Sequence, residues 1–156
     1  TNGIQAGDLV GRKLGRDGGD TMASVCAELD ATAQRLASSD APDLHAIGTA
    51  LLAASRRHRE TTELVLQMLA ESPEAARGAA FDYMMQTGFL FGAWQLACGA
   101  EVAQARLAEG SDNPFYARKV ATTRFYVENI LPRCDGYAGS IAGAGGALQS
   151  YPVDWL

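Results

Sequence analysis

The chain has little of what most reactive folds need. Only two of its 156 residues are histidine and three are cysteine. Neither His45 nor His58 follows a glutamate by three residues, so the Glu-x-x-His ligand pattern of di-metal helical bundles is missing. Cys26, Cys98 and Cys134 lie far apart, are odd in number and form no C-x-x-C pair, which excludes a disulfide framework and a zinc knuckle. Each falls on an apolar helix face, so free, buried thiols are expected, as suits a reducing, cytoplasmic compartment. Cations are scarce as well. Thirteen Lys and Arg stand against eighteen Asp and Glu, a net charge of −5, and this leaves no concentrated basic face for a nucleic-acid backbone. Strand-like alternation is absent. One long apolar run, AAFDYMMQTGFLFGAWQLACGA, is interrupted by Asp82, Gln86 and Gln95 and lacks basic flanks. It reads as a buried helix and not as a membrane span.

What is present is helical periodicity. After a glycine-rich break at 15–19, Asp20 or Thr21 is placed to cap a helix whose stripe is Met22, Val25, Leu29, Thr32 and Leu36. Ser38-Ser39-Asp40 ends it. A second helix begins at Pro42, with Asp40 as its expected cap. Its inner face is Leu44, Ile47, Leu51, Ser55, His58, Thr62, Val65 and Leu69. Ser72-Pro73 opens a third helix that meets no breaker until about Glu109, a rod of about 55 Å. Tyr83, Met84, Thr87, Phe91, Trp94, Cys98 and Val102 mark one of its faces. Gly88, Gly92 and Gly99 mark another, where a close neighbouring backbone is expected because helical glycine costs about 1 kcal/mol relative to alanine. Asn113-Pro114 starts a fourth helix with Phe115, Val120, Thr123, Val127, Ile130, Cys134, Tyr137, Ile141 and Leu148 on its stripe, and Pro132 is expected to kink it. The fold class is therefore all-α, an up-down four-helix bundle with long helices over 20–150.

The candidate chemistry is thin. His58 lies between Ser55 and Thr62 beside Arg56, Arg57 and Arg59. A small anion site is one reading; a polar layer inside the bundle with a solvated basic rim is the other, and it is preferred because no second basic cluster completes a cradle. A ligand-sensing pocket around His58 and Tyr83 would need a cavity. Gly143 to Gly146 (GAGG) reads like part of a dinucleotide fingerprint but lacks the strand that must precede one, so small-residue helix packing explains it better. No serine or cysteine has both a base and an orienting acid near it in sequence.

The opening stretch TNGIQAGDLVGRKL carries more. It resembles a segment of the acyl-CoA dehydrogenases, flavoenzymes in which a Tyr-Glu-Gly-Thr motif is followed shortly by Ile-Gln; here Thr1, Ile4 and Gln5 match the end of that pattern. A second arm, FYARKVATTRFYVENILPRCDGYAGSIAGAGGAL, resembles the extra C-terminal domain of the branch that includes the 3-methylmercaptopropionyl-CoA dehydrogenase-like enzymes. Phe115, Tyr116, Lys119, Ala121, Thr122, Arg124, Phe125, Tyr126, Glu128, Leu131 and Pro132 carry this match, and GFLFGAWQLACGA resembles the helix before it.

The resemblance implies that residues 1–15 end a preceding catalytic domain, that Thr1 is internal to a longer polypeptide, and that 20–150 is an appended bundle. It implies a catalytic glutamate two residues before Thr1, which removes the α-proton of an acyl-CoA while the β-hydride passes to FAD to give a 2-enoyl-CoA. Thr1, Asn2 and Gly3 would inherit FAD contacts, with Gly3 departing from the longer polar residue of many members. Isolated, the chain is expected to hold no cofactor and to be inactive. A homo-oligomer or interdomain packing role is expected of the bundle, with Tyr151 and Trp155 as docking residues or as caps on its own core. The rival reading is a free-standing helical adaptor that grips a partner helix by its glycine-marked face.

Overall fold

The computed structural model describes residues 3–144 and 146, and they form helices and turns with no strand among them. The elements are α1 (Ile4–Gly7), a π-helical continuation (Asp8–Leu14), α2 (Asp20–Ala37), α3 (Pro42–Glu71), α4 (Pro73–Ala108), α5 (Pro114–Asn129) and α6 (Arg133–Gly143). The architecture is an all-α bundle with α4 at its centre, packed against α3, α5 and α6. The fourth long helix expected from the sequence is two helices. Pro132 does not kink it but ends it: α5 closes at Asn129, Ile130 to Pro132 turn, and the chain restarts at Arg133. A proline that cannot donate to the turn before it makes a restart cheaper than a bend.

The helix starts follow local chemistry, with two corrections. Asn113 Oδ1 accepts from the Phe115 N–H and Pro114 occupies the first turn of α5, as the sequence implied. α2 is capped by neither Asp20 nor Thr21. Gly19 stands at its N-cap with φ 92°, a left-handed conformation that favours glycine, and the Asp17 carboxylate accepts from the N–H groups of Gly19 and Thr21 and from the Thr21 hydroxyl. At α3, Ser39 Oγ rather than Asp40 meets the Ala41 N–H, at 3.2 Å.

The buried face of α4 is made mostly of alanine. Ala76, Ala79, Ala80, Ala93, Ala97, Ala100 and Ala103 are buried, with Tyr83, Gln86, Thr87 and Leu90 between them. Phe91, Trp94 and Cys98 are only half-buried, and Val102 is 60% exposed. A helix with neighbours on several sides needs small residues at its centre line, so the large ones are pushed to the rim. Gly88, Gly92 and Gly99 of α4 likewise meet no neighbouring backbone. A Cβ at Gly92 would touch the Tyr126 hydroxyl and one at Gly99 the Lys119 side chain, while Gly88 has open space around it. The close backbone approach is at Gly48 of α3, where a Cβ would stand 2.2 Å from the Ala37 nitrogen and 2.6 Å from the Ala33 carbonyl oxygen.

The core has two parts. One joins Leu29, Ala33, Leu36, Leu44, Ile47 and Leu51 to the Leu90–Ala103 face of α4 and to Val120, Val127, Leu131 and Cys134. The other joins Ala6, Val10 and Leu14 of the opening segment to Val65, Ala76, Ala79, Ala80, Tyr83 and Ile141. The opening segment thus buries one face on the bundle. No helix among the described residues is long and apolar enough to cross a membrane. Leu148, Tyr151 and Trp155 lie outside the described residues, as does Gly145; of the GAGG stretch, Gly143 ends α6 and Ala144 and Gly146 follow it.

Candidate functional site

Between the two apolar cores lies a buried polar layer, built mainly by α3 and α4 and closed by α2 and α6. His58 is fully buried, stacked on Tyr83 with ring centroids 5.3 Å apart. Its Nε2 is 2.9 Å from Thr87 Oγ1. The Thr87 hydroxyl donates to the Tyr83 carbonyl at 2.8 Å, so its single hydrogen is spent and it accepts from Nε2–H. Neutral His58 then carries its lone pair on Nδ1, where the Cys26 thiol stands at 3.7 Å and donates. The same accounting holds next door. Thr62 donates to the His58 carbonyl at 2.7 Å and accepts from the Tyr83 hydroxyl at 2.9 Å. Thr61 donates to Gln86 Oε1 at 2.6 Å, and Gln86 Nε2 donates to the Cys134 carbonyl at 3.2 Å.

Burial sets the charge state of this layer. It lowers His58 to about 4, with the Arg59 charge adding to the effect. It raises Tyr83 to about 12 and Cys134 to about 11, and it raises Cys26, helped by the Asp30 carboxylate. Every group is neutral near pH 7 and every hydrogen bond named is satisfied, so the layer is suited to fixing helix register and not to proton transfer. The basic rim is matched by acids. Arg59 pairs with Asp30, and Arg57 lies 3.6 Å from Asp135 and 3.9 Å from Glu60. The polar-layer reading of His58 therefore fits the geometry and the anion-site reading does not. The ring stack and the threonine contacts also fill the space that a pocket at His58 and Tyr83 would need. Sequence reasoning missed Thr61 and Gln86; the signal was Gln86 itself, a polar residue inside an apolar run.

An apolar opening lies elsewhere. A groove of about 410 Å³ runs between the opening segment and α2, floored by Leu9, Leu14, Met22, Val25 and Phe91. Arg12, Lys13 and Arg16 stand on its rim with Asp17. Met22 and Val25 belong to the expected inner stripe of α2, yet they are half-exposed here, whereas Leu29, Thr32 and Leu36 are buried. Of the residues implied for FAD contact, Thr1 and Asn2 lie outside the described residues. Gly3 is exposed at the start of α1, with φ 75° and its carbonyl already accepting from the Gly7 N–H at 2.8 Å. Among the described residues no cluster of His, Cys, Asp and Glu could hold a metal ion.

Comparison with known proteins supports the resemblance to acyl-CoA dehydrogenases. Residues 23–150 match the family model described as acetyl-CoA dehydrogenase C-terminal like. Over 148 residues, 95% of the chain, the sequence is 32% identical to a 3-methylmercaptopropionyl-CoA dehydrogenase of Ruegeria pomeroyi (strain ATCC 700808 / DSM 15171 / DSS-3). That match spans 25% of the relative's length. The chain therefore belongs to the acetyl-CoA dehydrogenase C-terminal-like family.

Proposed function

We propose that the chain is the C-terminal part of a flavin-dependent acyl-CoA dehydrogenase, in which residues 1–15 close the catalytic domain and 20–150 form an appended bundle. The parent enzyme oxidises an acyl-CoA thioester to the 2-enoyl-CoA. The observation that carries this reading is the match to the dehydrogenase over 95% of the chain. Of the three residues implied for FAD contact, the one described gives the cofactor little to hold. Gly3 offers no side chain, and its carbonyl is engaged by Gly7. The cofactor and the acid–base chemistry therefore belong to the preceding part of the polypeptide, and the bundle contributes packing, between domains or between copies. Exposed Phe81, Val102, Phe115 and Phe125 support such a role, and three free cysteines support a reducing cytoplasm.

The test is to read the coding frame upstream of Thr1 and to express it. Tyr-Glu-Gly before Thr1, with acyl-CoA-dependent reduction of an artificial electron acceptor by the longer protein and none by these 156 residues, is the expected result. Turnover by the 156-residue chain overturns it. One observation favours a second reading, a free-standing helical adaptor: Ala6, Val10 and Leu14 of the opening segment are buried on the bundle itself. A start codon immediately before Thr1 would decide for that reading.

A further inference from the structure

The α2 stripe is regular from Met22 to Leu36, but the bundle covers only its second half. Its first half opens into the groove with Leu9 and Phe91. A helix keeps an apolar stripe where something dry covers it, because each large side chain removed from water contributes about 1.5–3 kcal/mol. The rim has a sign. Arg12, Lys13 and Arg16 fall within five residues of a chain whose net charge is −5. Asp8 engages Arg12 and lies 4.0 Å from Lys13, and Asp17 is spent on the α2 cap. Both carboxylates keep their charge, so three cations stand against two anions, and the small cationic excess rests on Arg16, which complements an acidic partner.

We propose that this groove is the seat of the preceding part of the same polypeptide, which lays an apolar ridge edged by carboxylates over Leu9, Met22, Val25 and Phe91. The inference rests on the reading of the chain as the end of a longer dehydrogenase. Two observations select this occupant over others. The curated relative extends over about four times the matched length, so a large body accompanies this bundle there. The groove is also walled by the opening segment, the stretch that would join that body. One face of the segment is buried on the bundle and the other lines the groove, as a helix shared by two domains would be.

The test is methionine footprinting. Met22 is oxidised by peroxide in the 156-residue chain and in the longer protein expressed from the full frame, each normalised to its urea-unfolded rate. Met22 should oxidise at least about tenfold more slowly in the longer protein. Arg16→Glu in the longer protein should return much of the reactivity, and Arg12→Glu provides a second, independent rim variant. Equal Met22 rates in a longer protein that turns over acyl-CoA overturn the docking and leave the function standing. Protected Met22 in a longer protein without that turnover does the reverse. Protection that grows with concentration in the 156-residue chain would seat a second copy in the groove and overturn the proposal.

Discussion

The two halves of the bundle solve the same packing problem in opposite ways. Around Gly48 the helices close on one another: α3 touches the α2 backbone, alanines line the centre of α4, and Leu29, Ile47 and Leu51 are fully buried. Around the opening segment the interior is just as dry at Val10 and Leu14, but one wall stays open and its edge is basic. The first half is closed where α2 meets α3. The second is finished on the inside and unfinished on the outside. On the proposed reading, the contact with a larger body falls at the open end of the bundle, and the polar layer between keeps the two ends in register.

The largest effect should come from forcing the closed half apart. Gly48→Val places carbon atoms where the Ala37 nitrogen and Ala33 oxygen already sit, and these are backbone atoms that no rotamer change can clear. A loss of about 3 kcal/mol or more is expected, read as a fall in the urea midpoint. A variant within 0.5 kcal/mol of wild type on that scale would show that α2 slides freely, and the contrast between the halves would dissolve.

Acid should act on the layer between them. The unfolded chain binds a proton at His58 near pH 6.5, while the native protein refuses it until about 4. Below 6.5 the unfolded state therefore holds more protons, and stability falls as pH falls, levelling near 4; above 6.5 this contribution is fully present. The slope integrates to about 3 kcal/mol. His58→Gln should flatten that part of the profile in urea melts at stepped pH. An unchanged slope in the variant would place the acid sensitivity outside this layer.

How much of this was legible in the sequence depended on whether the cause was local. The proline starts of α3, α4 and α5, the asparagine cap and the polar layer at His58 were readable because each is set by residues close along the chain or by one stripe. The alanine centre of α4 was not. Periodicity weights large residues such as Phe91 and Trp94, and only the number of neighbouring helices says that small ones must be innermost. Gly48 was passed over for the same reason, because nothing near it in sequence reports that Ala37 lies against it. Pro132 signalled a disturbance but not whether the helix would bend or restart. For function the composition offered only exclusions, and the opening motif supplied a resemblance without any catalytic residue of its own.

Truncation in the open half should cost less than its burial alone implies. Leu14 is 3% exposed, yet it also borders the groove, so its neighbours can relax into the space it leaves. Leu14→Ala is expected near the low end of core truncations, about 2 kcal/mol, with Leu51→Ala in the closed half nearer about 4. Equal losses in paired urea melts would mean that the groove wall is as rigid as the closed core.

The smallest effect is the most discriminating, because it compares two positions on one helix face. Met22 and Leu29 lie two turns apart on the α2 stripe and carry side chains of similar size. Leu29 is fully buried among α3 and α4 side chains, so Leu29→Ala should cost about 3 kcal/mol. Met22 lines the open groove, and alanine there regains helix propensity while giving up little buried area, so its loss should stay below about 1 kcal/mol in the 156-residue chain. In the longer protein the same Met22→Ala change should rise toward the Leu29 value, since the covered groove would then lose contacts on both sides. If the Met22 cost is the same in both lengths of protein, the groove stays wet and the open half is simply a looser end of the bundle.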